Sequence, residues 1–385
     1  VDGARTLPAL TGSADFSADF ASRLEREVRA GRVSGVEPAA VSVTRLGAGE
    51  SFTAWLLRAE EAAQGARQPP RVVRVVRRPA EERPRSLRGE YEALSRVPPD
   101  LGSHGVALEE DSDNALGAPY VVTTYVPGRV VPGQEWTPRL ACALAEQVAR
   151  LHHLLGGAQT AGEGTAGSRL QPGQARHPGA LREAEAVLGW WRSHHPDVLE
   201  EPRVSRLLAP WWRALVTLDP VTVGVPLHPL IHGDLVVTNV VVGTGGIPRL
   251  IDWEWAGPGD PAKDLALIGG EVTGGPWYAH LSRKAVTDMV SCYVAARSRL
   301  ARSQAADKGR NLVRDCEGAG GSGEKHDEQV RRLLARRDAW ELVDRLSNLL
   351  YCLSRRGQED YLRWAGQLAE SLGARLTAPP DEPPG

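Results

Sequence analysis

Apolar residues at Phe20, Leu24 and Val28 of DFASRLEREVRA share one helical face, and Gly31 follows, so 19–30 reads as an amphipathic helix. The pattern then changes period. VSVTRLGAGESFTAWLLRAE, 41–60, alternates apolar and polar positions around glycines, as two strands about a bend should. RVVRVVRRP at 71–79 reads as a third strand, RSLRGEYEALSRV at 85–97 as an amphipathic helix, and PYVVTTYVPG at 119–128 as an apolar strand ended by Pro-Gly. Thr137 and Pro138 open a helix reaching 156, with a stripe through Leu140, Leu144, Val148, Leu151 and Leu155. Further helical periods cover 180–194, 203–218, 281–302, 328–355 and 358–374. Between them VVV at 240–242 and LI at 250–251 flank the Gly243–Gly246 turn and read as a buried hairpin. A β-rich first third followed by a mainly helical remainder makes this an α+β chain. Residues 1–20 lack a period and read as a lead-in, 156–174 are flexible by composition, 303–327 are too polar to fold alone, and APPDEPPG reads as a disordered tail.

Composition excludes several classes of function. The chain has 385 residues and a net charge of −2, with no basic stripe interleaved with aromatics, which argues against a nucleic-acid partner. Cys142, Cys292, Cys316 and Cys352 are scattered, with neither a CxxC nor a His at ligand spacing, so reduced thiols are expected rather than a disulfide framework or zinc site. No basic segment leads into an apolar run, and no stretch of about 18 apolar residues occurs, so a cytoplasmic protein with no membrane partner is expected. Only four of the 46 basic residues are Lys, which reads as coding bias rather than a functional demand.

The chemistry concentrates in LIHGDLVVTNVVVGTGGIPRLIDWEWAGPGDPAKDLA, 230–266. Asp234 and Asn239 stand five apart on a loop, and Asp252 follows the second strand of the hairpin. Phosphoryl transfer needs a carboxylate to orient the attacking hydroxyl and oxygen ligands to hold Mg²⁺ on the phosphates. Asp234 suits the first task, Asn239 and Asp252 the second. Taken singly, each of these residues reads equally well as a turn former or helix cap.

In its HGD loop, IDWE strand and GDPxxDLA segment, all present and in order, the chain resembles the aminoglycoside phosphotransferase and choline kinase-like family. The resemblance implies a two-lobed, protein-kinase-like fold, with a small β-rich lobe over 1–126 and a larger helical lobe over 127–385. It also implies ATP and Mg²⁺ as cofactors, and a small-molecule hydroxyl acceptor, most readily an antibiotic or related metabolite, with a small-alcohol kinase or a nucleotide-binding pseudokinase as alternatives. Gly47, Gly49 and Ser51 fall where the family positions nucleotide phosphates. Arg74, or in another register Arg77, takes the place of the kinase strand lysine, with Glu90 as its ion-pair partner. Thr124 to Val126 fall at the hinge that meets adenine. The 137–156 helix resembles the family's LHxL helix, with His152 and His153 as packing and surface residues. Trp190–Trp191 and Trp211–Trp212 read as core, or else as a stacking wall. His232 is expected to pack the loop, Asp264 to bond the loop backbone, and Asp260 to cap the helix that follows. Asp338, Glu341, Asp344 and Glu271 are candidates to meet a cationic acceptor. Gly233 stands where protein kinases carry an Arg that grips an activation-loop phosphate, which implies activity without phosphorylation. A monomer or homodimer is expected.

Overall fold

The computed structural model describes residues 18–60, 68–83, 85–157, 175–307 and 320–378. Cys316, the 158–174 stretch and the PPDEPPG end of the chain lie outside the described residues. The chain divides into two compact units, a smaller one formed by Thr6–Gly128 with Arg249–Ala256 and a larger one holding Arg129–Pro248 and Gly257–Gly385. The smaller unit thus takes in a segment from far along the chain, which a single break after residue 126 leaves elsewhere.

In the smaller unit, α1 (Ala18–Arg29) lies on a five-stranded antiparallel sheet of β1 (Val41–Ala48), β2 (Phe52–Ala59), β3 (Arg71–Val76), β4 (Gly105–Glu109) and β5 (Tyr120–Thr124), in the order β1-β2-β3-β5-β4. The expected α1 face is the one buried: Phe20, Leu24 and Val28 join Trp55, Leu57, Val73, Val75, Tyr120 and Val122 in one core. Because successive strand residues point to opposite faces, Val73 and Val75 in this core send Arg74 to the other side of the sheet. The helix α2 (Leu87–Arg96) is capped by Ser86, whose hydroxyl accepts the Gly89 N–H. β4 went unmarked by hydrophobic alternation. It is short, its register shifts between Gly105 and Ala107, and its four residues from Val106 on are only half-buried.

The larger unit is a helical assembly. α3 (Pro138–Gly157) packs on α8 (Arg283–Asp307), and α9 (Gly320–Ser354) packs on α4 (Ala180–His194), α5 (Pro196–Glu200), α6 (Pro202–Leu218), α7 (Pro261–Ile268) and α10 (Glu359–Thr377). Thr137 caps α3 through the Leu140 N–H, as its sequence implies. The ends of the polar 303–327 stretch continue α8 and open α9. Of the tryptophan pairs, Trp191 and Trp211 are core, Trp211 donating to the Leu342 carbonyl, while Trp190 and Trp212 are half-buried. The strand β6 (Arg129–Val130) pairs with Val240–Val242, and β7 (His228–Ile231) leads into the HGD loop and pairs with Gly257–Gly259. The strand expected at 250–251 ends earlier, at Pro248–Leu250. Among the described residues no helix is long and apolar enough to cross a membrane.

Candidate active site

In the larger unit one carboxylate bonds two successive amides of the HGD loop. Asp260 caps α7 by accepting the Ala262 N–H, and is itself bonded by Arg336 and by Trp340 Nε1. The first turn of α7 then presents Asp264, fully buried, whose Oδ2 accepts the His232 N–H at 2.8 Å and whose Oδ1 accepts the Gly233 N–H at 2.8 Å. His152 Nε2 donates to the same carboxylate at 3.1 Å, and its Nδ1 lies 2.9 Å from the Tyr293 hydroxyl. A carboxylate can only accept, so Nε2 carries a proton toward Asp264. Burial alone would raise the Asp264 carboxyl, but the bond from His152 and the His232 amide hold it below the usual carboxylate range. Burial pushes the Tyr293 phenol up, which keeps it a donor.

Gly233 has φ of 78°, in the left-handed region where a side chain costs energy, and this backbone turn lets two successive N–H groups point at one carboxylate. Beyond the turn, Asn239 Nδ2 donates to the Asp234 carbonyl at 2.9 Å and to Asp234 Oδ2 at 3.0 Å. Both partners are acceptors, so the amide nitrogen faces Asp234 and the amide oxygen faces away. The Val237 N–H donates to the Trp277 carbonyl at 2.8 Å, tying the end of the loop to the segment after α7.

The smaller unit gathers a second group of charges. Arg74 is buried under the Phe52 ring, 4.2 Å from its centroid, and bonds Glu90 through one nitrogen and Asp252 through another. Burial opposes the Arg74 charge, but Glu90, Asp252 and Glu254 hold its pKa above the ordinary value. Burial pushes Glu90 up in spite of Arg74. Between the two registers left open by the sequence, Arg74 is the one paired with Glu90. Arg77 instead donates to the Gly49 carbonyl at 2.6 Å and braces the β1–β2 bend. Asp252 has φ of 65° and is the one non-glycine residue with positive φ among the described residues. Such a conformation costs energy and persists only where the surroundings impose it. Glu254, two residues on, escapes the sequence reading; burial and the Asp252 charge push it up to about 8, against the bond from Ser51. Its one sequence signal is a second acid in IDWE, which does not reveal burial.

Several backbone donors expected to face nucleotide are engaged within the sheet. The Gly49 N–H closes the bend on the Phe52 carbonyl, the Thr124 N–H donates to His104, and the Tyr125 N–H to Pro70. Gly47 pairs with Ala54 beside a register shift, Ser51 is buried on Glu254, and Val126 is buried.

Three of the four acids expected to meet a cationic acceptor meet arginines of this chain instead. Arg337 bonds Asp338 and both oxygens of Glu341, while Arg345 bonds Asp344 at 2.6 Å and lies over the Tyr278 ring. Arg283 adds a second cation to Asp338. The reason is burial: these acids lie on the enclosed part of α9, where an unpaired charge is costly. Glu271 is exposed.

A family model described as the phosphotransferase enzyme family, APH, matches residues 42–290. The chain belongs to this family. Viomycin phosphotransferase of Streptomyces vinaceus is 34% identical over 166 residues, covering 39% of this chain and 50% of that protein. A thiamine kinase of Salmonella paratyphi B is 51% identical over 43 residues, 11% of this chain and 14% of that one. The match therefore spans half or less of either curated relative. Among solved structures, aminoglycoside phosphotransferase APH(4)-Ia aligns with a TM-score of 0.52 at 16% identity, covering 93% of this chain and all of that one. A putative aminoglycoside phosphotransferase from Ralstonia eutropha JMP134 also gives 0.52, at 15% identity, with 92% and 96% covered. The APH chain thus has the kinase-like fold of these proteins, with a small antiparallel sheet and a larger helical part.

Proposed function

We propose that this APH-family chain transfers the γ-phosphoryl group of ATP to a hydroxyl of a small molecule. The observation that carries the reading is the HGD loop, in which Asp234 is bonded by Asn239 while Asp264 holds the two preceding amides. A half-buried carboxylate on a rigid loop is what orienting a hydroxyl requires, and Asp234 would accept its proton late in the reaction.

The donor chemistry fits Mg²⁺. Asn239 turns an amide oxygen away from Asp234, and Asp252 offers a carboxylate, both hard oxygen ligands. These two would hold the ion, which when bound would neutralise charge on the β- and γ-phosphates. Arg74, fixed by Glu90, would steady the phosphates, with Gly47, Gly49 and Ser51 shaping the bend beside them. Thr124 and Val126 would border the adenine, through groups other than the Thr124 N–H.

An antibiotic or related metabolite is the preferred acceptor, supported by the likeness to viomycin phosphotransferase. A small-alcohol kinase is the second reading, favoured by the short match to thiamine kinase. Because Gly233 lacks a donor side chain and is required by its backbone angle, the protein should work without phosphorylation, on a small molecule rather than a protein. The test is ATP consumption against peptide antibiotics, aminoglycosides, macrolides, thiamine and small amino alcohols. Turnover with one of the antibiotics supports the first reading, turnover confined to thiamine or an amino alcohol the second, and nucleotide binding with no turnover on any acceptor contradicts both.

A further inference from the structure

Next to the Arg74 network but lined by other residues, the smaller unit carries a groove of about 490 Å³ beside the start of α2. Two arginines line it, Arg83 and Arg85. Arg83 Nε and Nη1 are wholly buried and have no hydrogen-bond partner among the described residues. A buried guanidinium nitrogen left unsatisfied is costly, and in native proteins such groups point to a missing ion, water or ligand. Arg85 keeps its contact with solvent and is open to a ligand.

The charge balance agrees. Arg32, Arg74 and Arg337 are all bonded to carboxylates that hold their guanidinium pKa above the ordinary value. Arg83 goes the other way, lowered by burial; the carboxylates around it, led by Glu90 and Glu254, do not offset this. Glu110, the acid lining the groove, is already bonded to Arg88. The rest of the lining includes apolar surface from Ala80, Leu87 and Pro119.

We propose that this groove binds a phosphate monoester, with its anionic head on Arg83 and Arg85 and its organic portion on the apolar lining. Two guanidiniums offer more donors than one carboxylate can accept, whereas a phosphate monoester carries close to two charges and three strongly accepting oxygens. Ala80, Leu87 and Pro119 beside the guanidiniums are why an organic substituent belongs to the ligand. The inference does not depend on the phosphotransferase reading.

The test is calorimetric titration of phenyl phosphate into the full chain saturated with magnesium and AMP-PNP, so that any nucleotide site is already filled. One saturable event is expected, weakened about tenfold or more by Arg83→Gln and by Arg85→Gln, since each removes charge-assisted bonds. Benzoate, tested in parallel, should bind more weakly. No saturable heat, binding undiminished in both variants, or benzoate equal to phenyl phosphate would each overturn the proposal. Because Arg83 Nε and Nη1 have no hydrogen-bond partner among the described residues, Arg83→Gln should melt no lower than wild type without ligand, and a lower melting point would count against the site. Arg85 is exposed, so Arg85→Gln tests the groove with little risk to folding.

Discussion

Replacing Asp264 by Asn should do far more damage than a change of one oxygen to one nitrogen suggests. The carboxylate accepts from the His232 and Gly233 amides through different oxygens and from His152, with no exposure to solvent. Asparagine has one acceptor oxygen, so one backbone N–H must face an NH₂ group. A buried donor left unsatisfied costs about 1–3 kcal/mol, and loss of a charge-assisted bond about 1.5–3 kcal/mol, so a total near 3 kcal/mol is expected. At ~2 °C per kcal/mol for a chain this large, the melting point should fall by about 6 °C. The sign with pH follows from the direction of the shift. The folded carboxyl lies below its unfolded value of about 3.9, so its contribution is complete above that value and disappears as pH falls through the folded one. Urea unfolding of wild type and Asp264→Asn from neutral to acid pH should give a constant gap down to about pH 4 and a narrowing one below. Phosphoryl transfer should fall with the loop's order while nucleotide affinity holds. A gap within about 0.5 kcal/mol at neutral pH, as for an ordinary surface substitution, would refute the idea that this carboxylate holds the loop.

Gly233→Ala places a side chain at φ of 78° and should cost about 1–2 kcal/mol, measured by denaturant unfolding. Arg74→Met leaves Glu90 buried without its partner and should destabilise by about 3–5 kcal/mol, with calorimetry showing weaker nucleotide binding. Asp252→Ala keeps a side chain at φ of 65° and takes a carboxylate from buried Arg74, so it should lower the melting point slightly, while Mg²⁺-dependent nucleotide binding weakens. If turnover is found, mass spectrometry of the active protein should detect no phosphorylated loop; a strict requirement for one would contradict the role given to Gly233.

The periods along the chain made much of the fold legible. Phe20, Leu24 and Val28 are buried together because a helix of period 3.6 has no other way to shelter them. The HGD and GDPxxDLA spacings likewise foretold that Asp260 would cap α7 and Asp264 would bond the loop backbone. What stayed hidden depends on three-dimensional neighbours. β4 is half-buried at all but its first residue and shows little alternation. The acids of α9 looked available because local spacing does not tell an enclosed helix from an exposed one. Arg337 beside Asp338 and Arg345 beside Asp344 were the available hint, since a buried acid needs a cation nearby. The positive φ of Asp252 and the burial of Glu254 leave no trace in residue order at all.

The central claim concerns Asp234, and single-turnover phosphoryl transfer to whichever acceptor the screen identifies tests it most directly. The account predicts that Asp234→Ala lowers the transfer rate by about a hundredfold or more, in the range of a lost general base, while Mg²⁺-dependent ATP affinity stays within about threefold. Transfer at an undiminished rate in Asp234→Ala would contradict it.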